Sequence, residues 1–303
     1  MKVSTKNEYG KLNSIIVGSI ENGAWPTDDK FFNEMIDSST YPTKLIKGKI
    51  PKEVIEQTEK ELQAFVSILE SNDVTVIRPK INKEHWCISA RDILLTVGNK
   101  IIECPTPYSS RKHETQFYQH LQIKFGEWIK LPTPQTNNSP MFDAANVCKL
   151  DDKLLYLVSK TANKAGAKLL QQIVGTEFEV ILWEDVYSHA HIDSTLISLG
   201  KDTVLLNGSR VNENNLPKFM QSYKKIYVND MEEQTFYHFP FASKWIGMNI
   251  LSIDPETVIV DPFYQKLIAL LKNQKYNVIT TPLTHSRTLG GGLHCVTCDL
   301  ERE

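Results

Sequence analysis

The chain has 303 residues, a net charge of −2 and 41% hydrophobic residues, which suits a soluble globular protein and argues against a nucleic-acid or anionic-membrane partner. No apolar run approaches the ~18 residues that span a bilayer, and residues 1–8 carry an acid and no apolar h-region, so no signal or transit peptide is read there. Five cysteines, an odd and scattered set, fit a reducing compartment better than a disulfide framework, so a cytoplasmic location is expected.

In chain order, the first strand is expected over 12–17. An amphipathic helix over 53–69 follows, with Val54, Thr58, Leu62, Phe65 and Leu69 near one face, and then a strand over 74–77. Residues 93–97 turn at Gly98-Asn99-Lys100 into 101–103, a hairpin. Residues 109–131 form the least regular stretch. The hairpin then recurs: 147–150 turns at Asp151-Asp152-Lys153 into 154–158, 196–199 at Gly200-Lys201-Asp202 into 203–206, and 249–253 at Asp254-Pro255-Glu256 into 257–260. Each is followed by a helical stretch (162–174, 213–223, 262–271) and one more strand (178–182, 226–228, 278–281). The spacing of roughly 50 residues is that of repeat architectures.

A last strand over 293–299 completes a fifth hairpin with 12–17. The expected fold is α/β: a five-bladed pseudosymmetric α/β propeller, one domain over 1–303, closed by the N- and C-terminal strands. Closure removes the sheet edge that invites aggregation. An ordinary alternating α/β protein is the other reading.

Polar residues fall at matching places ahead of the hairpins: Asp92, Asp143, the set His189, His191 and Asp193, then Ser243, and finally Gly290-Gly291-Gly292-Leu293-His294-Cys295. In a ring, equivalent positions face one mouth, so Asp92, Asp143, His191, Asp193, Ser243 and Cys295 should converge. Three glycines allow close backbone approach, and a strand after them would aim the Cys295 thiolate into a pocket. A thiolate needs a base or cation nearby, which His191 could supply, and Asp143 could fix the histidine tautomer. Two further carboxylates, Asp92 and Asp193, would repel an oxyanion but pair well with a planar guanidinium. The set points to attack on a guanidinium carbon.

Blander readings stand beside this one. An Asp before a hairpin is commonly a turn residue, and His189 reads as a surface or supporting group. Cys295-x-x-Cys298 also fits a redox pair or half a zinc site, although no second such pair exists. Cys87, Cys104 and Cys148 read as small buried hydrophobes, and Trp245 as a packing residue.

The motifs Ala90-Arg91-Asp92-Ile93-Leu94, Phe142-Asp143-Ala144-Ala145, His191-Ile192-Asp193-Ser194-Thr195, Ser243-Lys244-Trp245 and Gly290-Gly291-Gly292-Leu293-His294-Cys295-Val296-Thr297-Cys298-Asp299, with Glu8-Tyr9-Gly10-Lys11-Leu12, carry a resemblance over nearly the whole chain. The chain resembles the glycine/inosamine amidinotransferases of the pentein superfamily, which are five-bladed propellers. The resemblance implies that Cys295 is the nucleophile, His191 the acid/base and Asp143 its partner. It implies that Asp92 and Asp193 hold a donor guanidinium and that Arg210 and Ser243 hold the donor's carboxylate. The implied reaction moves the amidino group of L-arginine through an amidino-cysteine to a small amine acceptor, releasing ornithine with ping-pong kinetics and using no metal or cofactor. Homodimers are common in the family, though no stretch here marks an interface.

The chain departs from the family pattern at three places. Residues 132–140 stand for a longer insertion, Asn146 stands where an acid is often found, and Ser188 and Ala190 precede His191 where glycine-using members are bulkier. Those small residues suggest an acceptor bulkier than glycine. An arginine deiminase or other guanidino hydrolase, with water as acceptor, would use the same residues and is the alternative. A non-catalytic propeller would be expected to lack one of Cys295, His191 and Asp143, and all three are present.

Overall fold

Five times the chain makes a three-stranded sheet in which an antiparallel pair is joined by a parallel third strand. The computed structural model describes residues 2–37, 47–86, 88–121, 126–136, 138–234 and 241–303. Cys87 and parts of 109–131 and 132–140 lie outside the described residues.

The first sheet pairs Leu94–Val97 with Lys100–Glu103 and adds Glu127–Lys130. The second uses Val147–Leu150, Lys153–Leu157 and Glu179–Trp183. The third uses Leu196–Gly200, Thr203–Asn207 and Lys224–Val228. The fourth uses Leu251–Ser252, Thr257–Val260 and Asn277–Thr280. Two hairpin turns need positive φ and receive residues that tolerate it, Gly98 at 56° and Asp151 at 61°.

The fifth sheet is built from both ends of the chain. Leu12–Val17 lies antiparallel to Thr297–Arg302 on one side and parallel to Thr75–Ile77 on the other. The apolar core then follows the seams between neighbouring blades. Ile16 and Leu300 pack with Ile93 and Ile101, Leu95 and Ile102 with Val147 and Tyr156, and Leu155 and Leu157 with Val204 and Leu206. Ile197 and Leu205 pack with Val258 and Val260, and Leu251 and Ile259 with Ile15 and Val17. Each blade buries its faces against two neighbours, and the last seam meets the first, so the ring is closed and the propeller reading is borne out.

Outside the blades, the helix Lys52–Ser71 buries Val54, Thr58, Leu62, Phe65, Val66 and Leu69 on one face, as its 3.6-residue spacing dictates. Truncating a side chain as buried as Leu62 costs about 2–5 kcal/mol. Helices Lys164–Val174 and Gln265–Asn273 sit in the equivalent places of the second and fourth blades. The helical stretch expected over 213–223 is only a 3₁₀ turn, Lys218–Met220. There the Asn212 and Asn215 side-chain oxygens accept backbone N–H groups of Asn214 and Asn212, an alternative to helix that Asn readily offers.

At the axis, under the mouth, the buried charges compensate one another. Arg91 and Arg302 donate to the two oxygens of Asp299 at 2.9 and 2.8 Å, and Lys149 lies 3.8 Å from both Asp299 and Glu8. Removing one member would leave an uncompensated buried charge.

Candidate active site

The triglycine segment shapes the floor. Gly290 adopts a left-handed φ of 76° as the cap of Ser286–Leu289. A Cβ on Gly291 would stand 2.6 Å from Ser89 Oγ, and one on Gly292 would stand 2.6 Å from Asn249 Cβ. Only glycine lets these loops touch. Cys295 does not lie on the strand expected over 293–299, which begins only at Thr297. Val296 N donates to Gly292 O at 3.0 Å and Thr297 N to His294 O at 3.1 Å, a turn that precedes the strand starting at Thr297. The turn is fixed by Asn249, whose Oδ1 accepts the Cys295 N–H at 2.7 Å.

The Cys295 thiol donates to Asp193 Oδ2 at 3.2 Å. Burial, then Asp193 and Asp92, push this thiol well above its ordinary value. Asp193 Oδ2 also faces His294 Nδ1 at 3.1 Å, while His294 Nε2 lies 3.6 Å from Glu8 Oε2. Burial would raise the Asp193 carboxyl, but His294, His191 and the thiol hold it well below the usual range. Burial would likewise raise Glu8, yet His294, Lys149 and Arg91 bring it down to about 2.

His191 Nε2 stands 3.0 Å from Asp143 Oδ2, and Nδ1 faces Asp92 Oδ1 at 3.6 Å. Burial opposes charge on the ring, but Asp92, the Asp143 hydrogen bond and Asp193 raise the imidazole to about 9. Asp143 is fully buried behind the ring. Arg111 donates to Asp92 Oδ2, to Glu114 Oε2 at 2.9 Å and to the Ser89 carbonyl at 2.9 Å. Burial raises the Asp92 carboxyl, and His191 and Arg111 offset part of that.

Asp92, His191, Asp193, Cys295, Arg210, Ser243, Ser188 and Ala190 all line one cavity of about 430 Å³, within the size range of small-molecule sites. Eight of the nine site residues expected from sequence therefore share a cavity, and the ninth, Asp143, backs it. Arg210 lies 3.5 Å over the Tyr187 ring and donates to Ser194 and Thr195 oxygens. Ser243 Oγ accepts the Trp245 N–H at 3.3 Å, capping the 3₁₀ turn Lys244–Met248. Trp245 packs against the core of the third and fourth blades, as expected. Cys104, Cys148 and Cys298 are buried free thiols. His189, read as a surface or supporting group, lines the cavity.

Several contributors escaped the sequence. Arg111 sits in the irregular stretch. His294 and Glu8 stand inside motifs, with no spacing signal of their own. The aromatic residues Phe32, Trp86, Tyr108 and Phe241 also line the cavity, with Ala190 packed against their cluster. Phe32 comes from the short helix Lys30–Asp37, where no repeat signal exists. Among the described residues no group of three or more His, Cys, Asp or Glu is placed to hold a metal ion, and no helix is long and apolar enough to cross a membrane.

Comparison with known proteins adds to this geometry. No protein-family model matches the chain. The chain is 36% identical to inosamine-phosphate amidinotransferase 1 of Streptomyces griseus, covering 99% of this chain and 97% of that protein. It is 27% identical to an L-arginine:L-lysine amidinotransferase of Pseudomonas savastanoi pv. phaseolicola, covering 99% and 94%. The solved structure of the Streptomyces griseus inosamine-phosphate amidinotransferase superposes with a TM-score of 0.92 at 35% identity, over 99% of this chain and 97% of that one.

Proposed function

Since the chain belongs to the amidinotransferase family, a family of transferases with the pentein fold, we propose that it takes the amidino group of L-arginine onto Cys295 and passes it to an amine. The observation that carries this reading is the pairing of one thiol with two carboxylates, Asp193 and Asp92, on a cavity that also holds His191. Such a site repels anions at its floor and welcomes a guanidinium.

The guanidinium of arginine binds against Asp92 and Asp193, and its positive charge offsets the carboxylates that keep the thiol protonated. Sulfur attacks the guanidinium carbon and the carbon–nitrogen bond to ornithine breaks. The His191 imidazolium gives its proton to the departing amine and takes up the thiol proton in its place. Ornithine leaves as an amine, and the amidino-cysteine keeps the positive charge beside the two carboxylates. The acceptor amine then attacks, the carbon–sulfur bond breaks, and His191 passes its proton to the Cys295 sulfur while taking one from the amine. Two displacements at one sulfur make the kinetics ping-pong. Arg210 and Ser243 hold the donor's carboxylate on the far side of the cavity.

The acceptor is a primary amine larger than glycine, for which Ser188 and Ala190 leave room. The relatives' names, inosamine-phosphate and L-lysine, are consistent with such sizes. Hydrolysis to citrulline is the competing outcome at the same residues, and water exclusion decides between them. The test is incubation with labelled arginine and a panel of amines, with products read by mass. Ornithine with an amidinated amine supports transfer; citrulline alone in the presence of every amine refutes it.

A further inference from the structure

Toward solvent the cavity wall is cationic. Among the described lining residues the only carboxylates are Asp92 and Asp193. Both sit at the floor and are engaged there, Asp92 by Arg111 and Asp193 by His294 and the thiol. Toward solvent, the exposed Lys160 and the half-buried His189 and Arg210 line the same cavity. Lys160 and Arg210 make no ion pair among the described residues; Arg210 donates to Ser194 and Thr195 oxygens and lies over the Tyr187 ring.

The backbone fixes Lys160 at this rim. Its N–H donates to the Ser188 carbonyl at 2.9 Å, which ties it to the loop that carries His189 and His191. The turn at 159–162 is closed by Ser159 N to Ala162 O at 2.9 Å and Ala162 N to Ser159 O at 3.2 Å. Both cations are near enough to act on His189: burial first, then Lys160, His191 and Arg210, lower its imidazole, so the ring lines the wall as a neutral hydrogen-bonding group.

We infer that Lys160, with His189 beside it, selects acceptor amines that carry an anionic group, a carboxylate or a phosphate, at the end remote from the amine. The inference rests on the amidino-transfer reading. In that reading the acceptor nitrogen must reach the amidino-cysteine at the floor, so the remote end of an extended acceptor lies against the upper wall. A carboxylate or phosphate there meets the ammonium of Lys160 and accepts from the one ring N–H of His189. A neutral or cationic end would face uncompensated positive charge. Lys160 is exposed, so its contribution weakens as salt rises.

The test uses matched amines: 4-aminobutyrate against butylamine for carboxylate, and phosphoethanolamine against ethanolamine for phosphate. Two readouts are taken with the full chain. The first is kcat/KM for each acceptor in wild type, Lys160→Ala and Lys160→Arg. The second needs no turnover: protection of Cys295 from iodoacetamide by the same compounds. In wild type the charged member of at least one pair is preferred by about tenfold, the size of one charge-assisted contact. Lys160→Ala loses most of that preference, Lys160→Arg retains it, and raised ionic strength erodes it in wild type. The pair that responds tells carboxylate from phosphate. Equal use and equal protection within both pairs, or a preference untouched in Lys160→Ala, overturns the inference while leaving amidino transfer standing. A wild type that releases no ornithine from arginine overturns the transfer reading instead, and the protection arm alone then decides whether Lys160 reads anions.

Discussion

Cys295 Sγ and Asp193 Oδ2 stand 3.2 Å apart, the thiol donating to the carboxylate. Burial and the neighbouring carboxylates disfavour the thiolate, so the sulfur rests protonated. Under the proposed transfer, the arrangement becomes productive once a guanidinium enters and offsets Asp193 and Asp92, which would make the charge of the donor part of the chemistry.

The His191 ring should govern the alkaline limb of the first half-reaction. Its folded-state value, about 9, lies above the ordinary 6.5. Stabilisation from the charged ring is therefore complete below about 6.5 and is lost as pH rises through about 9. Ornithine release should fall over the same alkaline range. Asp143→Asn should move that limb to lower pH, because a group that favours the charged ring is gone, and His191→Asn should abolish it with most of the activity. A pH–rate series showing the same limb in all three proteins would contradict the assignment.

Asp92→Asn and Asp193→Asn should weaken arginine more than citrulline, whose urea group carries no charge. The expected difference is about 1.5–3 kcal/mol for each charge-assisted hydrogen bond lost. Competition binding of the two ligands checks this; equal losses would make both carboxylates structural.

Arg111 is 1% exposed and bridges Asp92, Glu114 and the Ser89 carbonyl. Arg111→Met should destabilise the protein by about 3–5 kcal/mol, the usual cost of removing one partner from a buried pair, and should raise KM for arginine through Asp92. Urea denaturation with wild-type midpoint and slope would show that the bridge contributes nothing.

Ala190 lines the cavity and packs against the aromatic cluster that includes Phe32 and Tyr108. Ala190→Met should shift acceptor preference toward smaller amines by about 1–3 kcal/mol. Competition between glycine and a longer amine measures the shift. A wild type that prefers glycine, with the variant unchanged, would remove Ala190 from acceptor selection.

The blades were legible because their signals are local: a turn such as Gly98 or Asp151, flanked by short apolar runs. The convergence of Asp92, His191, Asp193 and Cys295 was legible because equivalent places in a ring meet at one mouth. What stayed hidden depends on irregular segments. Arg111 reaches Asp92 from 3₁₀ turns that carry no period, and Phe32 reaches the cavity from a short helix outside the repeat. Glu8 meets His294 only because the two chain ends share a sheet, a contact across nearly the whole sequence. The alternation of Leu293, Cys295 and Thr297 imitates a strand, but close packing of the glycines on Ser89 and Asn249 bends the segment into a turn.

The most direct test of the account is the mass of the intermediate. Wild-type protein quenched shortly after mixing with arginine, without acceptor, should gain one amidino group, and peptide mapping should place it on Cys295. Cys295→Ala should remain folded, carry no adduct and lose transfer by about 10³-fold or more. An adduct on Cys298, or transfer that proceeds at the wild-type rate in Cys295→Ala, would contradict it.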